Sequence, residues 1–306
     1  MPTADAPGRG LIHAPTENGT FRQLELLKRS QPARRRAREF FVEGVKSIDR
    51  ARETGWPVRS LVYAAGTPLS AWAQRTLSAL PSAQRIALSK PLMARLSDKN
   101  VPSELVAIVD MPPDNSQRIG LSRAGLAVVL DRPSSPGNLG SIVRSCHALG
   151  ADGLLVTGHG TDLYNPLTVR ASMGSLFSLP VVRLGSHREV GRWVGDVASS
   201  RQASGKAHTP RIQVVGASVD ALLPPDAVDL TQPTVLVLGN EAEGLADGYR
   251  ELCDVLVRIP MRPDTDSINI ACAAAVLLYE VDRQRRRARG HRDVREVRPG
   301  HPKKRR

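Results

Sequence analysis

Residues 259–280 read IPMRPDTDSINIACAAAVLLYE, and the change of character along this stretch decides the fold. A β-type run over 255–259 stops at Pro260, and a polar loop follows from Arg262 to Asp266. An apolar helix is predicted from Ser267, whose hydroxyl can accept from the unpaired N–H groups of a first helical turn. From Ala271 to Leu278 small and aliphatic residues sit nearly all round the helix, the pattern of an element packed on several sides. Asn269 is out of place in it. A polar amide in the first turn of a buried helix needs partners, which can be the cap itself or a ligand.

Upstream of this stretch the second half of the chain alternates regularly. Apolar strands are predicted at 125–130, 153–156, 179–184, 212–216, 234–238 and 255–259, with helices near 139–149, 165–173 and 189–198. Strands alternating with helices predict α/β architecture: a parallel sheet with helices on both faces. The polar stretch 199–211 reads as a surface loop. The first half carries shorter strands (40–42, 58–63, 85–88, 104–110) and helices (21–30, 45–54, 70–80, 92–96), predicting a small α/β domain. The expected organisation is a disordered leader over 1–20, a first domain over 21–112, a linker over 113–122, a second domain over 123–284 and a basic disordered tail over 285–306.

Charge is unevenly placed within the net +13. Residues 283–306 hold 12 Lys and Arg against Asp293 and Glu296, and residues 28–38 hold six Lys and Arg and no acid. The rest of the chain is slightly acidic, so two segments carry the excess, and such segments suit a polyanion partner. The aromatic content of 4% argues against an extended base-stacking platform. No apolar run reaches the length of a membrane span, and the first residues lack the apolar core of a signal peptide, so a soluble, cytoplasmic protein is expected. Cys146, Cys253 and Cys272 are odd in number and far apart, which supports neither a disulfide framework nor a metal site. Each is expected as a small buried hydrophobe.

Two further stretches have the composition of a site. In Asn138-Leu139-Gly140-Ser141-Ile142-Val143-Arg144, the glycines at 137 and 140 permit close backbone approach and Asn138 stands where a helix starts. Arg144, further along that helix, can grip a phosphate or a developing oxyanion through two N–H groups, or serve as an ordinary surface ion-pair residue. In Leu238-Gly239-Asn240-Glu241-Ala242-Glu243-Gly244, glycines follow an apolar strand, where open α/β sheets bind ligands. Neither the dinucleotide glycine fingerprint nor a Walker sequence is present. Glu241 disfavours a triphosphate, and could equally be a helix N-terminal acid.

Taken in order, N-x-G-x-x-x-R, L-G-x-E-x-x-G and I-P-M followed by S-x-N and an Ala-rich helix resemble the three signature motifs of the SpoU (TrmH) branch of the SPOUT methyltransferases. RRAREFFVEGVKSIDRA near the start is similar to the ribosomal-protein-like substrate-binding domain of that family, and RASMGSLFSLPV at 170–181 to its middle segment. The resemblance covers about 34–282. It implies a C-terminal trefoil knot, homodimers, and methyl transfer from S-adenosylmethionine to a ribose 2′-hydroxyl in RNA. It further implies that Leu238, Gly239, Gly244, Ile259, Met261 and Ile268 form the cofactor site. Arg144 matches the position often proposed as the base; a guanidinium is rarely neutral, so stabilising the alkoxide and the adjacent phosphate suits it better. Asn138, Glu241, Ser267 and Asn269 would orient the substrate and each other, with Arg144 acting in the partner's site. The basic run Arg34, Arg35, Arg36 and Arg38 is expected to bind RNA. Ala271 stands where many relatives have Ser. The likeness of the first domain to a ribosomal RNA-binding protein favours ribosomal over transfer RNA, including a self-protective modification against a ribosome-directed antibiotic. The alternative is a non-catalytic RNA-binding or ribosome-assembly factor on the same fold.

Removal of the basic tail beyond Asp282 is expected to weaken RNA binding and flatten its salt dependence. Binding isotherms at low and moderate salt test this, and identical curves with and without the tail would reject it.

Overall fold

Both halves of the chain build a sheet, and the loops at one end of the second sheet carry the site. The computed structural model describes residues 10–97, 101–122, 124–203 and 210–290. The first domain contains β1 (Ile12–Ala14), α1 (Gly19–Arg29), α2 (Gln31–Ala37), β2 (Glu39–Glu43), α3 (Val45–Glu53), β3 (Val58–Ala64), α4 (Ala71–Ala79), β4 (Gln84–Leu88), α5 (Lys90–Leu96) and β5 (Leu105–Asp110). Its five-stranded sheet runs β1-β4-β3-β5-β2, parallel over the first three strands and antiparallel where β5 meets β3 and β2.

The second domain contains β6 (Leu126–Asp131), α6 (Pro136–Ala148), β7 (Gly153–Thr157), α7 (Pro166–Ala171), β8 (Val181–Leu184), α8 (His187–Ala203), β9 (Gln213–Ala217), β10 (Thr234–Leu238), α9 (Asp247–Leu252), β11 (Val255–Val257) and α10 (Ile270–Ala288). All six strands pair in parallel, in the order β11-β9-β10-β6-β7-β8. Their alternate residues face two cores. Leu126, Val128 and Leu130 pack with Ile142 and Val143 of α6 and Leu277 and Leu278 of α10. Ala127 and Val129 pack on the other face with Val190 and Trp193 of α8 and Tyr249 of α9. The chain leaves β6 toward β7 and β8 and returns on its other side through β9 and β10, so the strand order reverses between β6 and β10. A crevice at the carboxyl ends of strands forms at such a reversal.

Gly140 shows how tightly this domain is assembled. A Cβ there would lie 2.4 Å from the Thr168 carbonyl oxygen and 2.6 Å from Ala171 Cβ, so glycine lets α6 rest on the backbone of α7. The close approach that residue 140 permits is between helices.

Several expectations are corrected. The leader is shorter than 1–20, because Ile12–Ala14 pair in parallel with β4 and α1 begins at Gly19. The linker is packed: Ile119 and Leu121 enter the α8-side core, and Asp114 holds Arg183. The start of the predicted loop at 199–211 belongs to α8. Ser267 does not cap the last helix. Asn269 does, its Oδ1 accepting from the amides of Ala271 and Cys272 at 2.8 and 3.4 Å. The last helix is not packed all round either, since Cys272, Val276 and Tyr279 are exposed. The helix also runs into the basic segment, where Arg285 donates to the carbonyls of Leu230, Gly125 and Gln232. A deletion that separates tail charge from folding therefore begins after Gly290; residues 291–306 lie outside the described residues.

The basic run at 34–38 is divided by the helix that forms there. Arg34 is 2% exposed, and its Nε and Nη2 grip Asp162 Oδ2 at 2.8 and 2.7 Å while Nη1 donates to the carbonyls of Leu27 and Lys28. It is thus a buried strut between the domains, and the expectation that it meets RNA is withdrawn. Arg35, Arg36 and Arg38 are exposed. Around the strut, Phe40 and Trp56 of the first domain meet Tyr164 and Phe177 of the second, with Phe40 and Tyr164 ring centres 4.7 Å apart and Trp56 Nε1 donating to the Phe177 carbonyl. One continuous core spans both domains.

Arg34→Ala leaves the Asp162 carboxylate buried and unpaired, and should lower stability by about 3–5 kcal/mol. Arg36→Ala should change it by less than about 0.5 kcal/mol. Urea unfolding of the two variants measures the contrast, and equal effects would show that the buried pair is not what holds the domains together.

Candidate active site

Three loops meet at the carboxyl ends of β6, β10 and β11. The loop after β10 folds back on itself: Asn240 N–H donates to the Gly244 carbonyl at 2.8 Å, and Gly244 N–H to the Asn240 carbonyl at 3.0 Å. Gly244 has φ +68°, and a Cβ on Gly239 would fall 2.2 Å from the Gly244 carbonyl carbon. Both glycines are therefore demanded by the loop's own closure. Asn240 ties this loop to the one after β6, since its Nδ2 donates to the Arg132 carbonyl at 2.7 Å while Oδ1 accepts from the amides of Ala242 and Glu243.

A chain of side chains joins all three loops. Asn269 spends its oxygen on the helix cap, so its Nδ2 donates to Asn138 Oδ1 at 3.0 Å. Asn138 must then present its own Nδ2 to Glu241 Oε1, at 3.4 Å. Glu241 also accepts from the amides of Ser134 and Ser135 at 3.0 and 3.4 Å. Partial burial opposes its ionisation, but the Ser134 amide, its own amide, the Ser134 hydroxyl and Asn138 together hold the carboxyl below the usual carboxylate range. It is an anion at neutral pH, and it fixes the turn entering α6.

These loops enclose a cavity of about 520 Å³. Among the residues expected to hold the cofactor, Leu238, Gly239 and Gly244 line it from the β10 side and Ile259, Met261 and Ile268 from the β11 side. Of the expected catalytic residues, Asn138, Glu241, Ser267 and Asn269 line it as well. Ser267 is exposed. Arg144 is not brought to this cavity: it sits on the exposed face of α6, six residues beyond Asn138. The volume suits a nucleoside-sized ligand. Apolar walls at Leu238, Ile259 and Ile268 suit a purine, and Glu241 and Asp266, lining carboxylates with no arginine partner among the described residues, suit a cationic group. The residues present therefore fit S-adenosylmethionine, whose sulfonium is positive. Among the described residues no group of three or more His, Cys, Asp or Glu could hold a metal ion.

Arg132 and Asn240 were missed in the sequence. Arg132 follows β6 with φ +45°, and its guanidinium bridges the buried Asp131 at 3.0 Å and Glu243 at 2.5 Å. Asp131 also accepts from Thr157 Oγ1, to which Tyr249 donates at 2.7 Å. Burial pushes the Tyr249 phenol up to about 12, so it is a neutral donor. The available signal was the Asp-Arg pair closing a buried strand, where a charge needs a partner.

The model of the SpoU rRNA Methylase family matches residues 125–279, and that of the SpoU L30e-like domain matches 18–107. A 23S rRNA (uridine(2479)-2′-O)-methyltransferase from Streptomyces viridochromogenes is 46% identical over 271 residues, 88% of this chain and 91% of that protein. The Bacillus subtilis 23S rRNA (guanosine(2553)-2′-O)-methyltransferase RlmP is 26% identical over 81% of this chain and 90% of its own length. The crystal structure of the SpoU methyltransferase AviRb from S. viridochromogenes with the cofactor AdoMet superposes with a TM-score of 0.81 at 45% identity, covering 88% of this chain and 98% of that one. The AdoMet-bound rRNA methyltransferase from Sinorhizobium meliloti gives 0.78 at 26% identity, covering 89% and 98%.

Glu241→Gln should lower stability at neutral pH by about 1 kcal/mol, because the amide accepts less strongly from the Ser134 and Ser135 amides and meets Asn138 Nδ2 with a donor of its own. The folded carboxyl is depressed, so the wild-type advantage is full above about pH 4.3, the unperturbed value, and vanishes as pH falls through the lower folded value. Thermal melts of both proteins across this range test the sign, and a gap that persists at the acid end would refute an ionised Glu241.

Proposed function

We propose that this chain, which belongs to the SpoU rRNA methylase family, transfers the methyl group of S-adenosylmethionine to the ribose 2′-hydroxyl of one nucleotide in 23S ribosomal RNA. The observation that carries the reading is the convergence of Asn138, Glu241 and Asn269, up to 131 positions apart, on one cavity that every expected cofactor residue lines. Relatives with 2′-O-methyltransferase names match this chain across both domains. When bound, S-adenosylmethionine supplies the electrophilic methyl group. Leu238, Gly239, Ile259, Met261 and Ile268 hold it, with the room that Gly244 leaves. Asn138, Glu241, Ser267 and Asn269 orient the ribose. In-line approach of the oxygen is the main demand, and rigid placement meets it.

The ribose hydroxyl gives its proton to water as its oxygen gains the methyl group, and Arg144 stabilises the charge that develops on that oxygen and holds the neighbouring phosphate. It lies outside the cavity of its own chain, which supports delivery from a second copy. The homodimer is further supported by an apolar face beside Arg144: Cys272, Val276 and Tyr279 are exposed at helical spacing on α10, which packs on α6, and Leu167 and Met173 are exposed around α7. In this reading the chain threads as a trefoil knot near its end and works in the cytoplasm. No helix among the described residues is long and apolar enough to cross a membrane, and the thiols of Cys146 and Cys253, raised to about 12 by burial, are inert.

Labelled S-adenosylmethionine with total bacterial RNA should place label in the ribosomal fraction, resistant to alkaline cleavage on its 3′ side. Arg144→Ala should reduce kcat by about 10²–10³-fold with cofactor binding intact. Mixing Arg144→Ala with Asn269→Ala should restore about a quarter of wild-type activity, because half of randomly assorted dimers then hold one complete site. Cofactor binding without label in any RNA would favour a binding-only factor, and no recovery on mixing would place Arg144 in its own chain's site.

A further inference from the structure

A second cavity lies on the far side of the turn that carries Ser134. It measures about 250 Å³ and opens between the domains at the carboxyl ends of β7 and β8. Gln31 and Arg35 of α2 form one wall, the turn from Gly158 to Thr161 forms the floor, and Arg183 of β8 closes it. The turn is pressed against the active-site loop: Thr161 N–H donates to the Pro133 carbonyl at 2.7 Å, and a Cβ on Gly160 would lie 2.7 Å from the same oxygen. The 132–135 segment thus touches the lining of both cavities: the Ser134 and Ser135 amides donate to Glu241 of the first, and the Pro133 carbonyl accepts from Thr161 of the second.

One guanidinium of this cleft is set in place and the other is exposed and free to turn toward a ligand. Arg34 and Asp162, the buried pair joining the domains, are the immediate neighbours of Arg35 and Thr161, so the strut fixes the two sides of the cleft against each other. Arg183 Nε and Nη2 are held by Asp114 Oδ2 at 3.1 and 2.8 Å, which orients the guanidinium and leaves Nη1 without a partner among the described residues. Asp114 offsets the charge of Arg183. Arg35 has no carboxylate partner among the described residues and gives the cleft its net positive charge. His159 and Thr161 add an imidazole and a hydroxyl. The volume is below the range of pockets that take a drug-sized ligand, and a single phosphate with its sugar is the ligand that combines such a size with two guanidinium groups.

We propose that this cleft is a subsite for one backbone phosphate of the substrate RNA, gripped by Arg35 with Arg183 and linked to the first cavity through the 132–135 segment. The proposal rests on the RNA methyltransferase reading above. It divides the basic run by role: Arg34 builds the cleft, Arg35 binds in it, and Arg36 lies outside it. A phosphate contact positions RNA without reading sequence, so its loss weakens binding and lowers the salt dependence by about one ion.

The test uses the full-length protein and a 23S rRNA transcript, with RNA binding measured over a salt series and methylation kinetics measured in parallel. Arg35→Gln should weaken RNA binding about fivefold to tenfold and reduce the salt slope by about one, and the loss should fall on KM for RNA rather than on kcat. Affinity for S-adenosylmethionine should stay at the wild-type value, and Arg35→Lys should recover most of the loss. Arg192→Gln, an exposed position on α8, should match wild type. Equal losses at Arg35 and Arg36, or a loss of cofactor affinity with Arg35→Gln, would overturn the subsite. Arg35-dependent RNA binding without methyl transfer by the wild type would instead overturn the catalytic reading and leave the subsite standing.

Discussion

The geometry of the site depends on one side chain with two obligations. Asn269 caps the last helix through its oxygen, and this alone decides that its nitrogen faces Asn138. An amide has one acceptor end and one donor end, so orientation propagates: Asn138 must accept with its oxygen and donate with its nitrogen, and Glu241 must receive that donation as an anion. Helix formation at the end of the chain therefore sets the hydrogen-bonding sense of two loops far away in sequence. The three side chains thus share one hydrogen-bonding sense.

The run can exist because the sheet brings its members together. Six parallel strands bury both faces, so their polar ends project only from the edges, and the reversal of strand order between β6 and β10 splays the loops there apart. The loop after β10 is closed by a backbone contact that only glycine allows, at Gly239, and the helices beneath are packed by another, at Gly140 where α6 lies on α7. Arg132 then pins the two loops from the side through Asp131 and Glu243. Rigidity at the site comes from this cross-bracing of loops as well as from the strands beneath.

The alternation of strands and helices was legible because buried parallel strands are continuous apolar runs, as 126–131 and 234–238 are. What escaped was of two kinds. Ser267 and Asn269 are both good caps two residues apart, and local sequence does not choose between them. Strand β1 is three residues long and exists only because β4 offers it an edge, so the leader containing it reads as irregular. Within the candidate site the motif residues were legible as a set only through the resemblance of three motifs in order, because each residue alone also has an ordinary structural use, Asn269 as a cap and Glu241 as a helix N-terminal acid. The separation of Arg144 from the cavity was not, since a helix face shows only once the helix is docked. Arg132 hid as one charge among many, its only local signal being the acid before it at the end of a buried strand.

The basic run at 34–38 shows how a charge count misleads and what corrects it. Successive residues of a helix point about 100° apart, so four arginines in five positions cannot share one surface. Arg34 is turned inward to Asp162, and Arg38, with φ +57°, ends the helix and leans on the Met111 carbonyl. The inward turn matters most. Burying one guanidinium against a carboxylate is costly unless the pair is well satisfied, and here every donor of Arg34 that faces inward has an acceptor. With the aromatic contact of Phe40, Trp56, Tyr164 and Phe177 around it, the pair docks the first domain in one orientation instead of leaving it on a tether. Every group of the first domain then stands at a fixed distance from the cavity at the carboxyl ends of β6, β10 and β11, and that distance is set by a buried contact far from the cavity itself.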